Sequence, residues 1–225
     1  MGRHLTLAIA HRGEPIGERE NTLASFAAAV RLGADMVEID LRRTSDGEIV
    51  VLHDQTLDRL WEVDAAVADL TLEQVQAVGQ GDLRIPTFGQ VLEQVDRPLM
   101  VDFTKRDVVE GALAQARDAL DRCLFVTGNV EALRVLRSLS EKARIGLTWV
   151  REGPPPADLL GELGAEFWNP MFRLVTAEHV AAVHDLGLMV SCWTVDAPRH
   201  MARVSAAGVD AIVSNRIARL RRHLD

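Results

Sequence analysis

The chain has little of what marks a secreted, membrane-spanning or nucleic-acid-binding protein. Among its 225 residues there are two cysteines, Cys123 and Cys192. Both stand in apolar runs typical of buried strands, so we expect two free thiols rather than a disulfide. The apolar run near the N-terminus is too short to span a bilayer. The net charge of −8 and the isoelectric point near 5.4 argue against nucleic acid or an anionic membrane surface as the main partner.

Several catalytic signatures are also missing. No GxxxxGK[ST] or GxGxxG follows a predicted strand, and no serine stands in a GxSxG motif. No group of Cys and His residues has the spacing of a structural zinc site. Nucleotide-dependent and serine-hydrolase functions therefore have little support. The N-terminus has no small-residue cleavage site behind its apolar run, so we expect a cytoplasmic protein without stable membrane insertion.

The rest of the composition, 48% hydrophobic and 26% charged, is typical of a globular chain, and we expect residues 1–225 to form a single domain. Eight segments have the pattern of buried parallel strands: Leu5–His11, Met36–Asp40, Pro98–Phe103, Cys123–Thr127, Arg144–Trp149, Glu166–Trp168, Leu188–Trp193 and Asp210–Ser214. Helical patterns alternate with them, at Leu23–Leu32, Thr71–Val78 and Thr87–Val95 and at about 107–120, 129–140, 157–163, 176–186, 197–206 and 215–223. This alternation predicts an α/β fold, a (β/α)8 TIM barrel, rather than an open doubly wound sheet.

A β-hairpin is predicted after the second strand. Asp46-Gly47 is a strong signal for a two-residue type I′ turn. With that turn, His53 would stand opposite Asp40 on the facing strand. The returning strand Ile49–His53 is too close in sequence for a parallel crossover, so we expect it to form an excursion above the rim of the barrel.

Polar side chains gather where the predicted strands end. In TIM barrels the active site lies at the carboxyl ends of the strands, and the hairpin would return His53 to that same rim. Two acids beside an imidazole are typical of a metal site with a proton-transfer group, although a half-solvated strand face would have the same pattern. The candidates at the strand ends are His11, Glu38, Asp40, Asp102 and Trp193.

Short motifs, most of them in the first third of the chain, occur in a specific order. They are His11-Arg12-Gly13, Glu20-Asn21-Thr22, Gly33-Ala34-Asp35, Glu38-Ile39-Asp40, Thr44 with Asp46-Gly47, His53-Asp54, and Leu57 with Arg59, followed by weaker matches at Ile85-Pro86-Thr87, 193–196 and 208–213. In these motifs the chain resembles the glycerophosphodiester phosphodiesterase family. The resemblance implies a TIM barrel that hydrolyses small glycerophosphodiesters to glycerol 3-phosphate and an alcohol, with a divalent cation.

The resemblance also implies roles for individual residues. By matching position, Glu38 and Asp40 would be metal ligands, and His11 and His53 would form the general acid/base pair. The sequence does not assign which histidine is the acid. Arg12 would contact the phosphate through a turn that Gly13 makes easy, the alternative being a solvated surface arginine.

The chain departs from the family pattern at three positions. The third metal ligand, usually Glu, is Asp102 here, and the Lys two residues later is Thr104, which cannot supply a positive charge. Lys105 would point to the opposite face of a strand. Asn215 stands where the family commonly has Asp. Trp193 is predicted to form an apolar wall for the substrate, with barrel filling as the alternative.

Ligation by Glu38, Asp40 and Asp102 would suit a hard cation, Mg²⁺ or Ca²⁺. Two further interpretations stay open at this point. One is a phospholipase D-like activity on lysophospholipids, which would need an exposed apolar lip that Leu57, Leu60 and Trp61 would supply only weakly. The other is a catalytically impaired barrel that binds a phosphodiester, as the changes at positions 104 and 215 suggest. Nothing in the sequence indicates the oligomeric state.

Overall fold

A closed barrel of parallel strands forms the centre of the molecule in a computed structural model that describes residues 6–81 and 83–225. The barrel strands, in chain order, are β1 Leu7–His11, β2 Met36–Arg43, β3 Leu99–Asp102, β4 Cys123–Thr127, β5 Arg144–Thr148, β6 Phe167–Asn169, β7 Met189–Cys192 and β8 Ala211–Ser214. Strand β1 pairs in parallel with both β2 and β8, which closes the ring. The predicted TIM barrel is confirmed. Leu5, where the first strand was predicted to begin, lies outside the described residues.

Helices surround the barrel and lie on the excursion. Within the described ranges they are α1 Leu23–Arg31, α2 Asp58–Trp61, α3 Leu72–Ala77, α4 Phe88–Gln94, α5 Val109–Gln115, α6 Val130–Leu139, α7 Ala157–Leu163, α8 Ala177–His184, α9 Pro198–Ala206 and α10 Ile217–Leu224. Several begin at a side-chain cap that accepts a hydrogen bond from a backbone N–H three residues on. These caps are Thr22, Thr71, Thr87, Asn129 and Thr176.

The alternation of side chains along the strands places the polar residues inside the barrel mouth. On β2, Val37, Ile39 and Leu41 pack outward against the helices, and Met36 packs inside the barrel. On β1, β2 and β3 the inward positions then become polar towards the carboxyl end of the strand. The resulting steps are Ile9 to His11 on β1, Met36 to Glu38 and Asp40 on β2, and Met100 to Asp102 on β3.

The excursion between β2 and β3 has a small apolar core of its own. Its return strand, Ile49–Val51, pairs antiparallel with the end of β2, as the predicted hairpin requires. Two further two-stranded ladders follow, formed by Thr56–Leu57 with Val63–Ala66 and by Gly79–Gln80 with Leu83–Arg84. The core includes Val50, Leu52, Leu57, Trp61, Val67, Val75 and Ile85.

The register predicted for the hairpin is wrong by one residue. Strand β2 pairs Leu41 with Val51, and the backbone N–H of Leu52, not of His53, donates to the carbonyl of Asp40 at 2.9 Å. The cause is a loop of three residues, 45–47, which the hydrogen bond from the N–H of Thr44 to the carbonyl of Glu48 closes. Gly47, the last residue of this loop, adopts a φ of +94°. The extra loop residue shifts the whole ladder, so His53 does not share a strand face with Asp40.

Both cysteines are buried free thiols, as predicted. Burial raises the pKa of the Cys123 thiol to about 11 and that of Cys192 to about 12, so neither is a reactive thiolate. No helix in the described part of the chain has the length and apolar character needed to cross a membrane.

Two glycine substitutions test the hairpin loop. Gly47→Ala forces a side chain into positive φ and should lower the free energy of unfolding by about 1 kcal/mol. Gly161 lies inside α7 with ordinary helical φ, and apart from its chain neighbours and the backbone of the helix itself no atom lies within 4 Å of the place an added methyl group would take. Gly161→Ala should therefore raise stability by about 0.5 to 1 kcal/mol. Urea unfolding of both variants measures the difference; equal effects would contradict the loop conformation.

Candidate active site

One cavity of about 250 Å³ opens at the carboxyl end of the barrel and contains every site residue predicted from the sequence. These residues are His11, Arg12, Glu38, Asp40, His53, Asp102, Thr104 and Trp193. The other lining residues are Met100, Thr127, Gly128, Thr148, Asn169 and Val213. The cavity therefore lies where TIM barrels place their chemistry.

Three carboxylates meet on one side of the cavity. The parallel pairing of β2 with β3 sets Asp40 beside Asp102, and each of Glu38, Asp40 and Asp102 offers an oxygen within 4.8 Å of the others. Burial, together with the neighbouring charge of Asp40, raises the pKa of Asp102 to about 7. Burial, Asp40 and Asp102 also raise the pKa of Glu38 well above its ordinary value. Such a crowded set of acids favours either bound protons or a cation.

Arg12 lies over this acidic cluster. Both Arg12 and Gly13 have positive φ, at 56° and 85°, and this tight turn folds the arginine back towards the cavity. The backbone N–H of Arg12 donates to Glu38 Oε2 at 2.8 Å, and its Nε lies 3.2 Å from Asp40 Oδ2. Its Nη1 donates to Glu20 at 2.9 Å. The guanidinium is thus held beside the carboxylates and can contact an anion bound there.

His11 is oriented by an amide. Its Nδ1 lies 2.7 Å from Asn215 Oδ1, while Asn215 Nδ2 donates to Asp196 at 2.9 Å. Because the amide nitrogen of Asn215 donates to Asp196, its amide oxygen faces the ring of His11. Nδ1 of His11 must therefore carry the proton in this hydrogen bond. This leaves Nε2, 4.0 Å from Glu38, as the proton acceptor. Burial and the charge of Arg12 lower the pKa of His11, which favours the neutral ring.

His53 is oriented by a carboxylate instead. Its Nδ1 lies 2.7 Å from Asp54 Oδ1, and the other oxygen of Asp54 accepts a hydrogen bond from Arg59 Nε. Partial burial opposes ionisation, but the hydrogen bonds from Arg59 and His53 lower the pKa of Asp54. The ionised carboxylate accepts a hydrogen bond from the Nδ1–H of His53 and so orients the ring. The side chain of His53 is 42% exposed, against 17% for His11.

An ion-pair chain joins the excursion to the first βα loop. Arg59 donates to both oxygens of Glu20, at 2.6 and 3.2 Å, and Glu20 also accepts from Arg12. This series of ion pairs therefore runs from Asp54, the partner of His53, to Arg12 and the acidic cluster beside it. Because Arg59 and Glu20 are only partly buried, the contribution of this chain is mainly orientation.

The opposite wall of the cavity is uncharged. Thr148 Oγ1 accepts from Asn169 Nδ2 at 3.0 Å, and Asn169 Oδ1 accepts from Ser191 at 2.8 Å. The half-buried indole of Trp193 donates to the carbonyl of Asn169 at 3.2 Å, so its ring is fixed as a wall of the cavity. Thr104 is exposed at the cavity edge.

Sequence reasoning missed several residues of this site. Asn21 stands in a sequence motif but was given no role in the site, and its Nδ2 donates to Asp40 at 2.8 Å. Its place in a motif beside Glu20 was an available signal. The contact of Asn215 with His11 spans 204 positions and had no local signal. Thr127, Thr148 and Asn169 could have been found as polar ends of barrel strands.

Comparisons with known proteins agree with this geometry. A family model described as the glycerophosphoryl diester phosphodiesterase family matches residues 11–219. A glycerophosphodiester phosphodiesterase from Caldanaerobacter subterraneus subsp. tengcongensis is 32% identical over 228 residues, covering 93% of this chain and 94% of the relative.

Solved structures share the architecture. A putative glycerophosphoryl diester phosphodiesterase from Silicibacter pomeroyi superimposes with a TM-score of 0.89 at 25% identity, over 99% of this chain and 94% of the other. An Oleispira antarctica phosphodiesterase in complex with the product sn-glycerol-3-phosphate gives 0.88 at 23% identity, over 98% and 97%. With its motifs, its barrel and the extent of these matches, the chain belongs to the glycerophosphoryl diester phosphodiesterase family.

Proposed function

We propose that this chain is a single-domain, cytoplasmic, metal-dependent enzyme that hydrolyses small glycerophosphodiesters to glycerol 3-phosphate and an alcohol. One observation carries the proposal: two imidazoles with different partners lie in the same cavity as three clustered carboxylates and an arginine. The name of the Caldanaerobacter relative and the product bound to the Oleispira relative point to the same substrate class. The cavity of about 250 Å³ suits a small molecule.

The acidic cluster fits a divalent cation. Glu38 and Asp40, which are buried, and Asp102, which is half-buried, are all oxygen donors close enough to share one ion, and this donor set suits Mg²⁺ or Ca²⁺. When bound, such a cation polarises a phosphoryl oxygen and lowers the pKa of an attacking hydroxyl. Its charge would also oppose the burial and the neighbouring carboxylates that together raise the pKa of Glu38. These three residues are therefore the proposed ligands.

The two histidines divide the proton transfers according to their partners. His11, neutral and with its Nε2 free to accept, takes the proton from the attacking hydroxyl of the glycerol. His53, beside the carboxylate of Asp54, gives a proton to the oxygen of the leaving alcohol as the P–O bond breaks. The cyclic phosphate so formed is opened by water with the two roles reversed. Each transfer is typically worth roughly 10²–10⁴-fold in rate.

Three further residues of the cavity lining, Arg12, Thr104 and Trp193, bind the substrate. Arg12 contacts phosphoryl oxygens through its guanidinium. Thr104 offers a hydroxyl hydrogen bond where a charge is missing, and Trp193 packs against the organic part of the substrate. The phosphate charge is then balanced by Arg12 and the cation.

The rival interpretations receive less support. The apolar lip needed for lysophospholipids is not formed by its candidates, because Leu57 and Trp61 are buried in the core of the excursion and Leu60 packs against it. A catalytically impaired barrel was suggested by Thr104 and Asn215, yet Asn215 makes the hydrogen bond that orients His11. Both observations favour hydrolysis of a small diester.

The first prediction concerns activity. His11→Ala and His53→Ala should each lower kcat on glycerophosphocholine by roughly 10²–10⁴-fold, because each removes one proton transfer. Chelator should abolish turnover, and Mg²⁺ or Ca²⁺ should restore it. His223→Ala, at a histidine of α10 outside the cavity, is the matched control and should retain full activity. Turnover that survives both chelator and loss of either histidine would refute the mechanism.

The second prediction concerns pH and the acidic cluster. The folded-state pKa of Asp102 is raised to about 7 from 3.8, so the folded protein binds this proton more tightly than the unfolded chain. Stability of the metal-free protein should therefore fall as pH rises, by about 1 to 3 kcal/mol between about pH 5 and pH 8. Added Mg²⁺ should reverse the loss at the higher pH.

The control for this measurement is a pair of isosteric variants. Asp102→Asn should flatten the dependence of unfolding free energy on pH, because it removes the carboxyl and relieves Glu38. Asp118→Asn, at an exposed position, should leave the curve of the parent protein unchanged. Parallel curves for the parent and Asp102→Asn would show that the cluster does not hold a proton at neutral pH.

A further inference from the structure

Arg42 bonds to the backbone on which His53 stands. It lies on β2 two residues after Asp40, half-buried behind the excursion. All three nitrogen positions of its guanidinium donate to backbone carbonyls. Nη2 donates to the carbonyl of His53, Nε to that of Asp54 at 3.3 Å, and Nη1 to that of Leu41 at 2.9 Å. The side chain is absent from the lining of the cavity. Its charge interacts with those of Asp40 and Asp102, and its hydrogen bonds reach the site through the backbone of His53 and Asp54.

The backbone of His53 has little other support. The ladder with β2 ends where the N–H of Leu52 donates to Asp40, and the next main-chain bond is accepted by Gln55 from Val67. In the described part of the chain, neither residue 53 nor residue 54 makes a hydrogen bond from main chain to main chain. The planar fork of Arg42 fills this gap, and it holds two consecutive carbonyls in one geometry.

This placement has a consequence for proton transfer. A general acid must lie within hydrogen-bond reach of the atom it protonates, and a shift of about 1 Å costs roughly 10²-fold in rate. The ring of His53 is more than two-fifths exposed, so packing does little to fix it. Its position depends on its backbone and on Asp54, and Arg42 holds the carbonyls of both residues.

We propose that Arg42 is a positioning residue for the general acid: by clamping the carbonyls of His53 and Asp54, it places the imidazole at the oxygen of the leaving alcohol. The inference rests on the proposed function, in which His53 protonates that alcohol. Strand β2 would then position His53 through Arg42, in addition to supplying Glu38 and Asp40.

The test uses two substrates that differ in their need for an acid. The alkyl alcohol of glycerophosphocholine requires protonation as it leaves, whereas the p-nitrophenyl ester of glycerol 3-phosphate releases a stable anion. Arg42→Ala should lower kcat on glycerophosphocholine by roughly 10- to 100-fold, with KM changed less than about threefold. On the p-nitrophenyl ester the loss should be less than about threefold. His53→Ala should show the same dependence on the leaving group.

Two further variants separate charge from geometry. Arg42→Lys keeps the charge but not the planar fork, so it should lose most of the rate that Arg42→Ala loses. Arg43→Ala, at the next and exposed position of β2, is the matched control and should behave as the parent protein. In Arg42→Ala/His53→Ala the two losses should not add, because both act on the same proton transfer.

A measurement without substrate tests the clamp directly. Amide hydrogen exchange over residues 52–57 should become faster in Arg42→Ala and stay unchanged in Arg43→Ala, while exchange in the barrel strands stays unchanged in both. Equal loss on both substrates, full activity in Arg42→Lys, or unchanged exchange would overturn the inference. If the parent protein hydrolyses neither substrate with either cation, the proposed function fails, and the exchange experiment still decides whether Arg42 holds this segment.

Discussion

The mutual repulsion of three clustered carboxylates, two buried and one half-buried, is the constraint on which the site depends. The pairing of β2 with β3 brings Glu38, Asp40 and Asp102 together, and burial prevents water from screening them. The surrounding structure compensates with donors. The backbone N–H of Arg12 bonds to Glu38, and Asn21 bonds to Asp40. The positive φ of Arg12 and Asn21 shows that the first βα loop is shaped around these contacts.

The same constraint explains why the two histidines have unlike partners. His11 lies within 4.0 Å of Glu38 and is oriented by an uncharged amide, so no further carboxylate is added beside the cluster. His53 stands on the excursion, where the carboxylate of Asp54 is balanced by Arg59. An amide on one side and an ion pair on the other thus orient the two imidazoles of one cavity through different partners.

Most of the fold and much of the site could be predicted from the sequence, because both depend on local patterns. Eight apolar runs alternating with helical patterns suffice to indicate the barrel, and polar residues at strand ends indicate its mouth. The predicted hairpin register was wrong because Asp46-Gly47 fits both a two-residue and a three-residue loop, and the longer loop shifts the strand pairing by one residue. The contacts of Asn215 and Arg42 could not be found, since they depend on how distant segments meet in space.

The return strand of the excursion pairs with the end of β2, and this pairing limits where the sequence of the enzyme can vary. His53 follows directly from that ladder and is tied to the barrel by Leu52, Arg42 and Arg59. In contrast, the described residues of the outer excursion, 62–81 and 83–84, form small ladders and a helix, and none of them lines the cavity. Surface segments of this kind accept insertions at little thermodynamic cost. The outer part of the excursion is thus a place where a cap or recognition module can be added while His53 keeps its position at the cavity.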